Sequence, residues 1–367
     1  MSGRLQLRRG LVVVVEPLTV EVDGKRRRAW ADERLLGPMR EGDEVVVNVA
    51  ALDLGLGSGG FDLVHVNLSR GLEGGGAPGD EHVIKLNYTS LQHPVAPVEA
   101  ESNKSRFLSP DIRDKGTTRR APVLVLPLHG HLAPAAWAAA QAAPGLKVGF
   151  VQTAGGALPG SLSRDVAVLR KHGLLCGHIT AAPAYGGERE ALSTVGALDA
   201  AAGALDWDAI LVAPGPGIIG SDTEYGHGGM AALDSAHAAL ALQLPTLISP
   251  RLSSGDPRDR HRGLSHHTCT VLELLLGGVK VAMPEQGGEE IAGASSALAE
   301  LKDACGSRHR LVPSQVDLSA YAASGLPSRT MGRDLQDDPL FFAAPLAAGK
   351  ALSAASAGGV GGELPRE

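Results

Sequence analysis

The chain of 367 residues has few aromatic residues, few cysteines and little net charge, and each shortage excludes a class of protein. Phe, Trp and Tyr make up only 3%, so a core has to be built from Leu, Val, Ile and Ala. Cys176, Cys269 and Cys305 are scattered without CxxC spacing, which argues against a disulfide framework and favours a reducing compartment. A net charge of −6 gives no chain-wide attraction to nucleic acid or to an anionic membrane.

Long apolar runs are also missing, since none approaches the ~20 residues that span a bilayer. The early run Leu11–Val15 is too short for the core of a signal peptide. We therefore expect a cytoplasmic protein without a membrane partner. The excess of Ala, Gly and Arg reflects a GC-rich, bacterial-type genome, and the length favours two domains.

Residues 1–92 contain five short, β-rich runs separated by glycine-rich stretches. This pattern, without any helical period, predicts a small all-β barrel or sandwich domain. Residues 93–121 are polar and interrupted by proline, which predicts a linker. The predicted strands are Leu11–Val15, Thr19–Val22, Glu44–Val49, Phe61–Asn67 and His82–Tyr88.

Residues 122–344 alternate short apolar runs with long helical segments, which is typical of a parallel sheet covered on both faces. We expect a doubly wound, Rossmann-like α/β domain with a mostly parallel sheet. Residues 345–367 lack core-forming side chains, which predicts a disordered tail. The predicted strands are Val123–Leu128, Lys147–Thr153, Gly177–Ala184, Asp208–Ala213, Pro245–Pro250 and Val279–Pro284, and the longest predicted helix is Glu188–Leu205.

A ligand site is expected at the carboxyl ends of these strands, where loops and helix N-termini converge in open parallel sheets. Glycines there let the backbone approach a ligand, although they equally suit tight turns. Gly215–Gly220 formally matches G-x-G-x-x-G, but more glycines follow and no acidic residue ends the next strand, so NAD(P) is not expected. No cofactor is identified. The candidate backbone donors are Gly155, Gly156, Gly215 and Gly217.

Histidines follow several of the same strands and are candidates for proton transfer, because imidazole titrates near neutral pH. The four candidates are His129, His131, His227 and His266. His129 and His131 also form an H-x-H pair of the kind that opens some metal sites. Adjacent His266 and His267 should point about 100° apart on a helix, so we expect only one of them to face a given centre.

The loop before Ser265 carries arginines that are candidates for holding an anion. Ser265 suits a helix N-cap, and guanidinium groups beside a helix N-terminus make a plausible phosphate or carboxylate pocket. The alternative is a solvated loop in which Asp256 and Asp259 pair with the arginines. No aromatic residues are interleaved, so we expect no nucleic-acid partner. The candidates are Arg251, Arg258 and Arg262.

Several motifs taken together resemble one bacterial family, catalogued as domain of unknown function 3866. The resemblance extends from the β-rich region to about residue 340, and it implies no activity, cofactor or catalytic residue. The motifs are Pro127–Leu132, Thr153–Pro159, Ala213–Gly217, Tyr225–His227 and Arg262–Thr268.

Three functions remain open from the sequence. The leading hypothesis is an α/β enzyme or binding protein for a small anionic, possibly phosphorylated, metabolite at the carboxyl edge of the sheet. One alternative is a metal-dependent hydrolase that uses His129 and His131. The other is a non-catalytic homo-oligomeric scaffold, for instance a homodimer, in which the glycines are purely structural.

Overall fold

The computed structural model describes residues 4–57, 59–72, 79, 82–102, 121–286, 291 and 293–357. The chain divides into two compact units, Met1–Pro94 and Val95–Glu367. The described part of the expected linker, residues 93–102 and 121, contains a short strand and a short helix. Residues 103–120 lie outside the described part of the chain.

The first unit is built on five strands, β1 (Leu7–Val14), β2 (Thr19–Val22), β3 (Lys25–Trp30), β4 (Glu44–Asn48) and β5 (Asp62–Asn67), and two short helices, α1 (Glu33–Leu36) and α2 (Ala50–Asp53). The strands close into a barrel in the order β1-β2-β3-β5-β4. Alternate valines point inward and fill it, among them Val12, Val20, Val45 and Val47. Of the two expected forms, a barrel or a sandwich, the barrel is present.

Strand β3 is the barrel strand that hydrophobic patterning misses, because it begins with the charged run Lys25–Arg28. Its turn was visible in the sequence: Asp23 and Gly24 both have positive φ, 50° and 73°, and form a two-residue hairpin connection. The predicted strand His82–Tyr88 is not part of the barrel. It shortens to β6 (Val83–Lys85), which pairs with β7 (His93–Val95).

The second unit contains an eight-stranded, all-parallel sheet in the order β11-β10-β9-β12-β8-β13-β16-β17, together with two small antiparallel pairs, β14-β15 and β18-β19. All six strands predicted for this domain are present in the eight-stranded sheet. The strands are β8 (Val123–Val125), β9 (Val148–Thr153), β10 (Gly177–Ala181), β11 (Arg189–Ala191), β12 (Ala209–Pro214), β13 (Thr246–Ile248), β14 (Leu252–Ser253), β15 (Gly263–Leu264), β16 (Lys280–Gln286), β17 (Arg310–Val316), β18 (Arg329–Thr330) and β19 (Arg333–Asp334).

Helices cover both faces of this sheet, because successive strand residues point to opposite sides. Val123 and Val125 enter one buried cluster with helices α6 to α9, whereas Leu124 and Leu126 enter another with α4, α5 and α11. The α/β class is thereby confirmed. The helices are α3 (Val98–Ser102), α4 (Leu132–Ala142), α5 (Arg164–Lys171), α6 (Thr194–Ala202), α7 (Ala231–Ala241), α8 (His266–Leu274), α9 (Ala294–Cys305), α10 (Leu318–Ala323) and α11 (Pro339–Ala357).

The C-terminal region corrects one prediction. Residues 345–357 belong to α11 and are mostly buried, with Leu346 and Leu352 in the core, so the expectation of disorder from residue 345 is wrong for this stretch. It packs closely against α4, where a Cβ on Gly349 would lie 2.1 Å from the Ala135 carbonyl oxygen. Residues 358–367 lie outside the described part of the chain.

Helix α11 is also the one described helix whose length and composition would suit a membrane span, and 72% of its most apolar window is buried inside the protein.

The start of one predicted helix also differs from the structure. The helix predicted over Glu188–Leu205 begins only at Thr194, because Arg189–Ala191 joins the sheet as its edge strand.

Candidate functional site

Neighbouring strands β9, β12, β8 and β13 lead into the loops that hold the predicted site residues. The chain leaves β8 for β9 through α4 on one face of the sheet, and it leaves β12 for β13 through α7 on the other. Connections that diverge in this way open a crevice at the carboxyl edge, where open parallel sheets bind ligands. The loops at the carboxyl edge therefore border this crevice.

The glycine loops at this edge pack against each other. A Cβ on Gly156 would lie 2.1 Å from the Gly215 carbonyl oxygen, and a Cβ on Gly155 would lie 2.4 Å from that of Gly228. Gly217 has a φ of 74° and forms a left-handed turn. Gly155, Gly156 and Gly215 therefore allow backbone contact between loops, which is a structural role other than the tight turns considered from the sequence.

His129 is buried and both of its ring nitrogens have partners. Its Nδ1 lies 3.3 Å from the Pro214 carbonyl oxygen, so Nδ1–H donates there and Nε2 accepts the Ser163 hydroxyl at 2.7 Å. Ser163 Oγ in turn accepts the Val166 N–H and caps α5. His129 and Ser163 thus connect β8, β12 and α5.

His131 points elsewhere, although only one residue separates it from His129. Its Nδ1 lies 3.0 Å from Ser249 Oγ at the end of β13, and its ring packs edge-on against Phe341. Its Nε2 is buried and has no hydrogen-bond partner among the described residues. The two imidazoles therefore have separate surroundings, and no third ligand of the described chain joins them in a metal-sized group.

Arg251 and Arg258 meet at one carboxylate. Arg251 Nη2 lies 3.2 Å from Asp256 Oδ2, and Arg258 Nη2 lies 2.9 Å from the same atom. Arg333 adds a third guanidinium at 3.2 Å, and its Nε binds Asp338. Burial alone would raise the pKa of Asp256, but hydrogen bonds and charge from Arg258 and Arg333 hold it well below its usual value.

Most of these pairs match the alternative interpretation, a solvated loop in which aspartates pair with the arginines. Arg262 fits it, because it is exposed and pairs with Asp259 at 3.4 Å. Arg251 is the exception. Arg251 is only 3% exposed, and its Nε has no hydrogen-bond partner in the described structure. A buried guanidinium with an unmet donor is costly, so Arg251 is the arginine that points to a ligand.

Four histidines pack together beside Arg251, and we refer to His227, His261, His266 and His267 as the histidine cluster. Their ring centroids are 3.6 to 5.5 Å apart in the contacting pairs. Arg251 Nη1 donates to His267 Nδ1 at 3.3 Å. Two of the histidines predicted for proton transfer, His227 and His266, thus lie in one cluster, and His129 is not part of it.

The adjacent pair His266–His267 corrects a prediction, because both rings contact His227. Ligand nitrogens of the three residues all lie within 4.8 Å of one another. The two residues open α8 directly after the N-cap Ser265, whose Oγ accepts the His267 N–H. Side chains in the first turn fold back over the cap, so their separation on an ideal helix does not keep them apart.

Burial keeps the cluster uncharged. Burial and the positive charge of Arg251 together lower the pKa of His261 to about 3, and with a contribution from His227 they lower that of His267 to about 2. The same two causes lower the pKa of His131 to about 3, and burial lowers the pKa of His227. These imidazoles are therefore neutral at pH 7 and offer a lone pair as well as an N–H.

An open groove of about 500 Å³ borders the cluster at His266, which forms part of its wall. Its lining carries more negative than positive groups: Asp222, Glu224, Asp259 and Glu273 face a single cation, Arg260. Arg260 is itself paired with Asp222. The mouth of the site is therefore acidic, whereas Arg251 makes its interior positive.

Sequence reasoning missed three residues of this region. Arg333 and Asp338 lie more than seventy positions after Arg251, so no local motif connects them. Gly229 leaves room next to the histidines: a Cβ there would lie 2.9 Å from His227 Nδ1 and 3.0 Å from His267 Nδ1. The repeat of glycine directly after His227 was the available signal for this close approach.

A family model described as protein of unknown function (DUF3866) matches residues 28–349. The match confirms the resemblance seen in the motifs, and it contains the whole histidine cluster and the arginines around Asp256. No curated protein and no solved structure matches the chain.

Proposed function

The chain belongs to the DUF3866 family of proteins of unknown function, and from that premise we propose that it binds a small anionic metabolite beside Arg251 and the histidine cluster. This keeps the ligand class and the sheet edge expected from the sequence. It moves the site away from His129 and the glycine loops, whose groups already have partners.

One observation carries the proposal. Four buried polar atoms without hydrogen-bond partners in the described structure belong to Arg251 and to histidines near it: His131 Nε2, His227 Nδ1, Arg251 Nε and His266 Nε2. Buried polar groups in folded proteins are nearly always paired, because an unmet group costs about 1–3 kcal/mol. A ligand that bonds to them would offset this cost.

The sign of the ligand follows from the arginines. Arg251, Arg258 and Arg333 face two carboxylates, Asp256 and Asp338, so this network of ion pairs has a net positive charge, with Arg258 on its exposed side. Burial and the neighbouring guanidinium groups lower the pKa of Arg251 to about 10, which leaves it charged at pH 7. Asp256 pairs only with Nη2 of Arg251, so a carboxylate or phosphate oxygen of the ligand could accept the hydrogen bond that Nε offers.

The topology supports a ligand without supporting a dinucleotide. In the dinucleotide-binding order the first strand lies beside the second. Here β12 lies between β8 and β9, so the fold is Rossmann-like only in being parallel and covered on both faces. The glycine loop after β12 runs through a left-handed turn at Gly217 and does not enter a helix directly.

His131 is the proton-transfer group of this proposal. Ser249 fixes its Nδ1, and its Nε2 remains available. An anion beside Arg251 would offset the positive charge that helps to lower the pKa of His131, and would bring that pKa closer to neutrality. Enzymatic proton transfer is thus coupled to ligand binding.

The proposal is tested with inorganic phosphate as the probe, by thermal unfolding of the full chain in the presence of a chelator. Phosphate at 100 times its Kd should stabilise the protein by about 2.7 kcal/mol. Arg251→Lys keeps the charge and loses Nε, so it should lose most of that response. The matched control Arg262→Ala should respond like the wild type. Equal responses in all three proteins would refute the assignment.

A further inference from the structure

We propose that His227, His266 and His267 form a binding site for a divalent transition metal, with zinc as the best match. The inference deepens the proposed function and rests on the same site: it adds a cation beside Arg251 to which an anionic ligand can bind. The sequence hypothesis placed a metal at His129 and His131, whereas this site shares neither residue with it.

His227 is held in the tautomer that a metal ligand needs. Its Nε2 lies 2.9 Å from the Glu224 carbonyl oxygen, so Nε2 carries the proton and donates it there. Nδ1 is left with a lone pair, buried and without a partner among the described residues. A backbone carbonyl on the far nitrogen is the usual second partner of a metal-bound imidazole.

His266 and His267 supply the second and third nitrogens. His266 Nε2 is likewise buried and unpartnered in the described structure. The three ligand nitrogens lie within 4.8 Å of one another, and tetrahedral zinc with Zn–N bonds of ~2.0–2.1 Å needs them about 3.3 Å apart. Movements of about 1 Å by side chains close this difference.

Gly229 provides the space. Its missing Cβ would lie 2.9 Å from His227 Nδ1 and 3.0 Å from His267 Nδ1, so both nitrogens approach one point above this residue. Gly229 has no positive φ that would itself require glycine. The free volume beside the two nitrogens is therefore the property that glycine contributes here.

Binding requires one ring to turn. His227 and His267 are stacked with centroids 3.6 Å apart and planes 9° apart, so their lone pairs lie in parallel planes and cannot meet at one ion. His267 Nδ1 now accepts a hydrogen bond from Arg251. When His267 turns toward the ion it releases Arg251 Nη1, and a second donor becomes available to the anion.

The groove supplies the approach for a cation. Asp222, Glu224, Asp259 and Glu273 line it with His266 and outnumber Arg260, which favours the entry of a positive ion. Three imidazoles leave one tetrahedral position open, as in catalytic zinc sites.

The test is titration of the metal-free full chain with Zn²⁺ and Co²⁺, followed by bound metal per chain and by the visible absorption of tetrahedral Co²⁺. We expect one ion per chain. His227→Gln should weaken binding by about 100-fold or more, since loss of an outer partner alone costs ~10–100-fold. Gly229→Ala should weaken it comparably while all histidines are retained.

Two control variants should bind like the wild type: Gly57→Ala, whose Cβ would have no neighbour within 4 Å, and His172→Gln, which is exposed. Thermal unfolding in chelator verifies that each variant folds. No stoichiometric binding, or unchanged binding in both His227→Gln and Gly229→Ala, would overturn the metal site. A phosphate response in chelator without metal binding would overturn this inference alone, whereas metal binding without a phosphate response would overturn the anion proposal.

Discussion

At the carboxyl edge of the sheet, the surroundings of His129 and those of the histidine cluster are built from the same residue types. Around His129, each ring nitrogen has a partner and the glycines bring backbones into contact. In the cluster, buried nitrogens of His227 and His266 lack partners within the described chain, and Gly229 leaves space beside them. Histidines and glycines near a strand end therefore indicate a binding site only where the histidine ring nitrogens lack hydrogen-bond partners.

The largest effect should come from the packed glycines. In Gly156→Ala the new Cβ would lie 2.1 Å from the Gly215 carbonyl oxygen, and backbone cannot move as a side chain can. We expect the free energy of unfolding to fall by about 3 kcal/mol. In Gly220→Ala it should change by less than about 0.5 kcal/mol. Urea unfolding measures both, and similar losses would mean that the loops do not pack as described.

Substitution of His129 should affect stability and leave binding intact. His129→Leu removes the partner of the Ser163 hydroxyl and of the Pro214 carbonyl, which should cost about 2 kcal/mol. The folded variant should keep the phosphate response of the wild type. A folded His129→Leu protein that no longer responds to phosphate would place His129 in the binding site and remove the contrast.

Acid should destabilise the protein through its neutral histidines. The pKa values of His131 and His261 are lowered to about 3 in the folded chain, while unfolded histidine titrates near 6.5. Below pH 6.5 the unfolded chain binds more protons, so stability is present above that pH and is lost on acidification. Each such histidine should contribute about 1.4 kcal/mol per pH unit.

The measurement is the free energy of unfolding between pH 7 and pH 4.5, in chelator, for the wild type and His131→Asn. The free energy of unfolding of the variant should fall less steeply with decreasing pH, by the contribution of one histidine, about 1.4 kcal/mol per pH unit. Parallel slopes would show that His131 is protonated in the folded protein, and its proposed availability to a ligand would then be wrong.

The smallest effect belongs to the exposed arginine. Arg262 pairs with Asp259 in solvent at 3.4 Å, and such pairs contribute about 0–1 kcal/mol. Arg262→Ala should therefore leave thermal unfolding nearly unchanged and should bind phosphate as the wild type does. A large loss of phosphate affinity in this variant would extend the anion site to the loop surface, as the sequence first suggested.

Sequence periodicity predicted the parallel sheet well, because buried strands are continuous apolar runs between long helices. It failed where composition hides the pattern, at the charged strand β3 and at the alanine-rich helix α11. In the site, the edge and the histidines were accessible from the sequence. Which nitrogens are already paired was not, because Ser163, Ser249 and Arg333 reach their partners from distant parts of the chain.

If a ligand binds beside the histidine cluster and not at His129, ¹⁵N NMR of the histidine side chains should detect it during titration with inorganic phosphate, with resonances assigned by single substitutions. We expect changes at His131, His227, His266 and His267 and none at His129. Changes at His129, or none within the cluster at saturating phosphate, would contradict this expectation.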